Sequence, residues 1–201
     1  MFRGRLYGVP YREGIRGLEP RAGKYMVEET RKSPARLRAE ALVGSGRMLA
    51  NMARYREALD MIERAAEADP TYDRPRLARA FVLSKLGRTD DALDICDSFI
   101  REHPGNSYAH TTRGTCLMNV GRKAEAEDAF REGVRLGRDE YLPSYNYACF
   151  LAQEGREDET REMLARALDL SPNMNARAAT DPDFEPYRER EWFQDLVAFK
   201  R

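Results

Sequence analysis

The residues of this chain able to do chemistry are three cysteines, two histidines, a short acidic stretch and one glycine-containing loop. Cys96, Cys116 and Cys149 are odd in number and form no CxxC pair, so neither a disulfide framework nor a thiolate zinc site has the spacing it needs. Reduced thiols in a cytoplasmic protein fit this usage better. His103 precedes Pro104 in a turn and His110 falls in a predicted helix, so both read as surface or packing residues. Asp181, Asp183 and Glu185 alternate as calcium ligands do, but the loop glycine and remaining ligands are missing. Asp181-Pro182 reads instead as a helix start, with an acceptor at the cap and proline at the first position. Gly44-Ser45-Gly46-Arg47 lacks the Lys-Ser or Lys-Thr of a phosphate loop. Cys149 has no evident cationic neighbour to lower its pKa. Nothing here assembles a nucleophile, a base and an oxyanion donor, and the expectation is a chain that is not an enzyme and needs no cofactor or metal.

Charged residues make up 34% of the 201, balanced at 34 basic and 34 acidic. Residues 1–38 hold ten Lys or Arg against four Asp or Glu, and residues 39–201 hold 24 against 30. The body is acidic, which makes nucleic acid an unlikely partner. No apolar run approaches the ~20 residues of a membrane-spanning helix, and the N-terminus lacks the apolar core of a secretory signal. Leu, Ala, Arg and Glu dominate, which favours helix.

The elements that must position any site come from a repeat. Gly87, Gly121 and Gly155 lie 34 residues apart, with Ala53 one step earlier. Around each recur a small residue (Gly46, Ala80, Gly114, Ala148), a leucine (Leu49, Leu83, Leu117, Leu151) and a second small residue (Ala58, Ala92, Ala126), with Thr160 the exception. Pro70, Pro104 and Pro172 close three of the units. The units are 39–72, 73–106, 107–140 and 141–174. Small residues at both sites let two antiparallel helices cross closely. Glycine after the first helix ends it in a left-handed conformation. Apolar residues of the second helix then have a 3–4 spacing, as in Ala92, Ile95, Cys96, Phe99 and Ile100.

The segments MARYREALDMIERAAEADP, LGRTDDALDICDSFIREHPGN and VGRKAEAEDAFREGVRLGR resemble tetratricopeptide repeats, whose 34-residue period is characteristic. The resemblance covers 136 of 201 residues and implies an all-α, right-handed superhelical solenoid. It departs from the family in lacking the aromatic near the start of the first helix, where Leu42, Arg76, His110 and Ser144 stand. It also implies a concave groove lined by first helices. The positions it assigns there are Arg47 and Asn51 in the first unit, then Arg74, Leu77, Phe81 and Lys85 in the second. The third offers Tyr108, Met118 and Asn119, and the fourth Tyr145, Cys149 and Gln153. The family's two-carboxylate clamp is absent, since Val43, Arg47, Phe81, Thr111 and Thr115 occupy its places.

Aromatic anchors among cations and amides suit an extended or helical polypeptide with apolar and some acidic side chains. The expected function is therefore a scaffold or adaptor that holds a protein or peptide in its groove. The alternative is a self-assembling or nucleic-acid-associated repeat protein using the basic extension, and a homo-oligomer is compatible with either. Residues 1–38 are expected to be an extension with a tail at 1–21 and a short helix near 22–32, the first repeat helix beginning near residue 34. Residues 175–201 are expected to cap the last unit. There Trp192, Phe193, Leu196, Val197 and Phe199 would pack on Met163, Leu164, Ala167 and Leu168, because a solenoid's final face has no successor.

Overall fold

The computed structural model describes residues 32–198. The tail at 1–21, most of the stretch near 22–32 and Phe199 lie outside these residues. The described chain from residue 35 onward is one unit built of consecutive packed helix pairs. These are α1 (Pro34–Asn51) with α2 (Tyr55–Ala68), α3 (Arg74–Lys85) with α4 (Thr89–Glu102), α5 (Ser107–Asn119) with α6 (Lys123–Leu136), and α7 (Tyr141–Gln153) with α8 (Glu157–Leu170). A 3-10 turn (Pro172–Met174), α9 (Asn175–Thr180), a 3-10 stretch (Pro182–Tyr187) and α10 (Glu191–Val197) complete the chain. There is no strand among the described residues.

Each turn inside a pair is closed the same way. Gly87, Gly121 and Gly155 have φ of 79°, 74° and 70°. The next residue, always arginine, donates its N–H back to the leucine column: Arg88 to Leu83 at 2.9 Å, Arg122 to Leu117 at 3.1 Å and Arg156 to Leu151 at 3.0 Å. The glycine N–H reaches the following carbonyl, as in Gly121 to Met118 at 3.0 Å. This pair of bonds satisfies carbonyls that the helix end leaves open. The arginine side chain then grips the acid three residues on, in Arg54–Glu57, Arg88–Asp91, Arg122–Glu125 and Arg156–Glu159. Being mostly exposed, such pairs add only tenths of a kcal/mol each, but they repeat at every hairpin and place acid at the positive end of each second helix.

Packing rests on the small residues. A Cβ added at Gly114 would lie 3.0 Å from the Phe130 ring, and one at Gly46 would lie 2.8 Å from Ile62 Cγ1. Ala80, Ala148, Ala58, Ala92 and Ala126 are fully buried. Thr160 replaces the alanine of its column without leaving a polar orphan, because its hydroxyl donates to the Arg156 carbonyl at 2.8 Å. One core runs from α3 to α7 through Leu77, Phe99, Leu117, Phe130 and Phe150. Between units, residues 16 apart meet across the seam: Arg79 with Glu63 at 3.7 Å, Arg113 with Asp97 at 2.7 Å, and Arg131 donating to the Tyr147 hydroxyl at 3.3 Å.

The C-terminal segment departs from expectation in one respect. The sequence places a helix start at Asp181-Pro182. Asp181 does act as a cap, accepting from the Asp183 N–H at 3.2 Å, but it opens a 3-10 stretch with Pro186 inside it. Proline has no N–H to continue a helix, and the α-helix begins only at Glu191. That start lies in the repeat's own register, since second helices begin at Tyr55, Thr89, Lys123, Glu157 and Glu191, 34 residues apart. The segment is thus a shortened fifth hairpin. It packs on α8 as expected, with Phe193 1% exposed in one cluster with Leu164, Ala167 and Leu168, and Trp192 donating to Glu157 at 2.8 Å.

Ala53 has no glycine's freedom at its φ of 56°. Ala53→Gly relieves about 1–2 kcal/mol of steric cost and returns about 0.4–1 kcal/mol to the flexible unfolded chain. A net gain of about 0.5–1 kcal/mol is expected in urea unfolding. Gly114→Leu drives a side chain into the Phe130 ring, and its melting temperature should fall by an amount equivalent to at least about 1–3 kcal/mol.

Candidate functional site

The first helices line a hollow that runs along the inner face of the array. One part of it, about 550 Å³, is bounded by Arg47 and Asn51 of α1, Phe81 and Lys85 of α3, Tyr108 and Met118 of α5, and Tyr145, Cys149 and Gln153 of α7. A second hollow, about 710 Å³, adjoins it at the turns between units, and Arg74 and Leu77 line it together with Arg47 and Tyr108. First helices can do this because each presents one side to its own second helix and another to its neighbours, leaving a third side free.

The named residues fall into three groups. Arg47, Asn51 and Arg74 form the first, at the open end of the hollow, while Phe81, Lys85, Tyr108 and Met118 are half-buried. The second group forms a polar ladder. Lys85 donates to the Asn119 carbonyl oxygen at 2.9 Å, and the Asn119 amide donates to the Ser84 hydroxyl at 2.9 Å. The Lys85 ammonium also sits 5.8 Å from the Phe81 ring centroid, so it is held over an aromatic floor. No ion pair is formed by Arg47 or Arg74 among the described residues, and both cations bear on Tyr108.

In the third group Leu77, Tyr145 and Cys149 are buried, and Gln153 is exposed but engaged. Leu77 and Tyr145 are 2% and 1% exposed and belong to the core. Tyr145 donates to Asp181 at 2.8 Å, Gln153 donates to Asp183 at 2.8 Å, and the Arg177 guanidinium lies 5.4 Å from the Tyr145 ring. Reading Tyr145 as a ligand anchor is therefore corrected: the fifth hairpin takes up its ring and hydroxyl. Cys149 is 9% exposed. Burial pushes its thiol well above the ordinary value, and the carboxylates of Asp181 and Asp183 act in the same direction. A thiol held protonated is a poor nucleophile.

Sequence reasoning missed Arg177, Thr180, Asp181, Pro182 and Asp183 as lining residues of the hollow. The signal was present in the repeat itself. Asp183 stands 34 residues after Cys149, and Arg190 continues the column of Arg54, Arg88, Arg122 and Arg156. Cys149, Asp181 and Asp183 bring a sulfur and two carboxylate oxygens within 4.8 Å of one another. Both aspartates are already engaged by Tyr145, Gln153 and the Asp183 N–H. Their arrangement is accounted for by the helix cap and the closure of the hollow's end.

The structure therefore defines an α-solenoid of helical hairpins with a lined inner face. The family model described as tetratricopeptide repeat matches residues 49–114. TTC0263, a thermophilic protein of the same repeat class from Thermus thermophilus, shares 19% identity over 79% of this chain and 86% of its own, with a TM-score of 0.59. MamA from residue 41 onward, of Desulfovibrio magneticus RS-1, gives 17%, 67%, 76% and 0.46. YrrB, described as having an unusual peptide-binding site, gives 18%, 87%, 88% and 0.45. No curated protein matches. Residues 49–114 thus match that repeat family, and the described chain shares the architecture of TTC0263. No described helix is long and apolar enough to cross a membrane.

Tyr145→Phe keeps the ring and removes the bond to Asp181. Loss of about 0.5–1.5 kcal/mol of stability is expected, read as a lower melting temperature.

Proposed function

We propose that the chain is a protein-interaction scaffold that holds a segment of another polypeptide in its inner hollow, over units one to three. The observation that carries this reading is the surface formed by Phe81, Tyr108 and Met118, half-buried side chains flanked by Arg47 and Arg74, neither of which forms an ion pair among the described residues. Apolar side chains of a bound segment would lie on the aromatic floor, and an acidic residue would meet the two arginines. The Asn51 amide offers both donor and acceptor to a peptide backbone, whereas that of Asn119 is engaged by Lys85 and Ser84. The fourth unit contributes structure more than contact, because Tyr145 is covered. YrrB is described as having a peptide-binding site, which is in keeping with this use of the fold but not its basis. Three free, buried cysteines favour a reducing compartment, and we place the chain in the cytoplasm.

The test is capture of partners from the native cell, followed by titration of the partner so found. Phe81→Ala should weaken binding at least about tenfold, the effect of losing a ~1.4 kcal/mol contact, with the melting temperature little changed. Arg47→Glu should weaken it further at low salt than at high salt. A partner that binds both variants as it binds the native chain would place the site on another face.

A further inference from the structure

Among the described residues, the first helix differs from its counterparts in what covers it. In units two and three, one column set of the first helix packs on the second helix of the preceding unit. It consists of Pro75, Ala78 and Val82 in α3, and Ala109, Thr112 and Cys116 in α5, all buried. The same columns in α1 hold Ala41, Gly44 and Met48, each 34 residues earlier, and all three are exposed. Leu37 and Met52 extend the stripe at both ends. Leu37, Met48 and Met52 are 54%, 67% and 62% exposed, the three largest exposures of bulky apolar side chains among the described residues. The repeat thus specifies what the face is shaped for, which is another helix laid along it.

The order of side chains along the stripe identifies that helix. Large residues stand at the two ends and small ones at the centre: Leu37, Ala41, Gly44, Ser45, Met48, Met52. Turned end for end about the point between Gly44 and Ser45, the stripe falls on itself. Leu37 then opposes Met52, Ala41 opposes Met48 and Gly44 opposes Ser45. Large meets large at the ends, small receives large between them, and small meets small at the crossing. This is the self-complementarity a two-fold interface requires, and small residues at the crossing allow close approach. At the other end of the array, the fifth hairpin covers the last unit, so association stops at two copies rather than growing head to tail.

We propose that α1 pairs antiparallel with α1 of a second copy, so that the chain is a two-fold dimer joined at its N-terminal repeat. An 18-residue helix is about 27 Å long, which puts the contact at the small end of specific interfaces, and the association is reversible. The proposal stands apart from the groove, which lies on another side of the same helix.

Sedimentation equilibrium of the full chain, from about 1 to 300 μM, tests it, with the mass expected to rise towards twice 23.1 kDa. Gly44→Gln is the informative variant, because a Cβ at Gly44 meets nothing within 4 Å in the single copy. Its helicity and melting temperature should hold or rise, while the mass returns to that of one chain throughout. Ser45→Cys, set beside the crossing, should give a disulfide-linked pair on oxidation, against a native chain whose three cysteines are buried. A single-chain mass at every concentration overturns the proposal. So does a dimer that Gly44→Gln leaves intact, or a Ser45→Cys variant that stays unlinked under conditions where the dimer is present.

Discussion

Everything in this array depends on how closely two helices of one hairpin approach. The distance is set by residues without side chains to spare: Gly46, Ala80, Gly114 and Ala148 on first helices, Ala58, Ala92 and Ala126 on second ones. At Gly114 the Phe130 ring already occupies the space a methyl group would need. Because the same columns are small in each hairpin, each offers its neighbour a similar outline. A solenoid is the result of that sameness, since each unit can bury its apolar side only against a copy of itself. The lined hollow is a by-product of the same geometry, being the third side of helices whose other two are spoken for.

The turns show how backbone and side chain share one task. A left-handed glycine and the N–H of the following arginine finish the first helix, and the guanidinium begins the second by holding an acid in its first turn. The arginines Arg54, Arg88, Arg122 and Arg156 gain little individually from water-exposed pairs. Their contribution is to make the same choice of turn at each hairpin, so that register does not drift. Tyr147 and Glu127 add a connection of another kind between units three and four. Glu127 accepts from Arg156 at 2.7 Å, Arg131 at 2.7 Å and Tyr147 at 3.0 Å. That hydrogen bonding, led by Arg156, holds its carboxyl at about 2, well below the usual range.

The hairpins were legible in the sequence because glycine, alanine and leucine were fixed by backbone and contact geometry, which leave few alternatives. Register and turn positions derive from them, while the start of α1 at Pro34 was legible from the Ser33-Pro34 helix-start pair. The hollow was legible only in outline. Column position says which way a side chain leaves its helix, but not what arrives to cover it. Leu77 and Tyr145 sit in groove columns and are buried all the same, the second beneath Asp181 and Arg177. The fifth hairpin was hard to see because its usual markers are missing. Pro182, Glu185 and Glu189 stand where a small residue, leucine and glycine would be expected, and only Arg190 keeps its column. Pro186 likewise hid a 3-10 stretch behind a good helix-start signal.

The core is not evenly furnished along the array. Around α1 and α2 it is made of Ala39, Val43, Ala50, Ala58, Ile62 and Ala65, whereas around α7 and the fifth hairpin it contains Tyr145, Tyr147, Phe150, Phe184 and Phe193. Local stability in a stack of nearest neighbours tracks local burial. The molecule therefore has a firm end and a soft end. Opening of a single copy is expected to start at the alanine-rich hairpin and travel toward the aromatic one, so that Arg47 and Asn51 loosen while Phe130 and its surroundings are still in place.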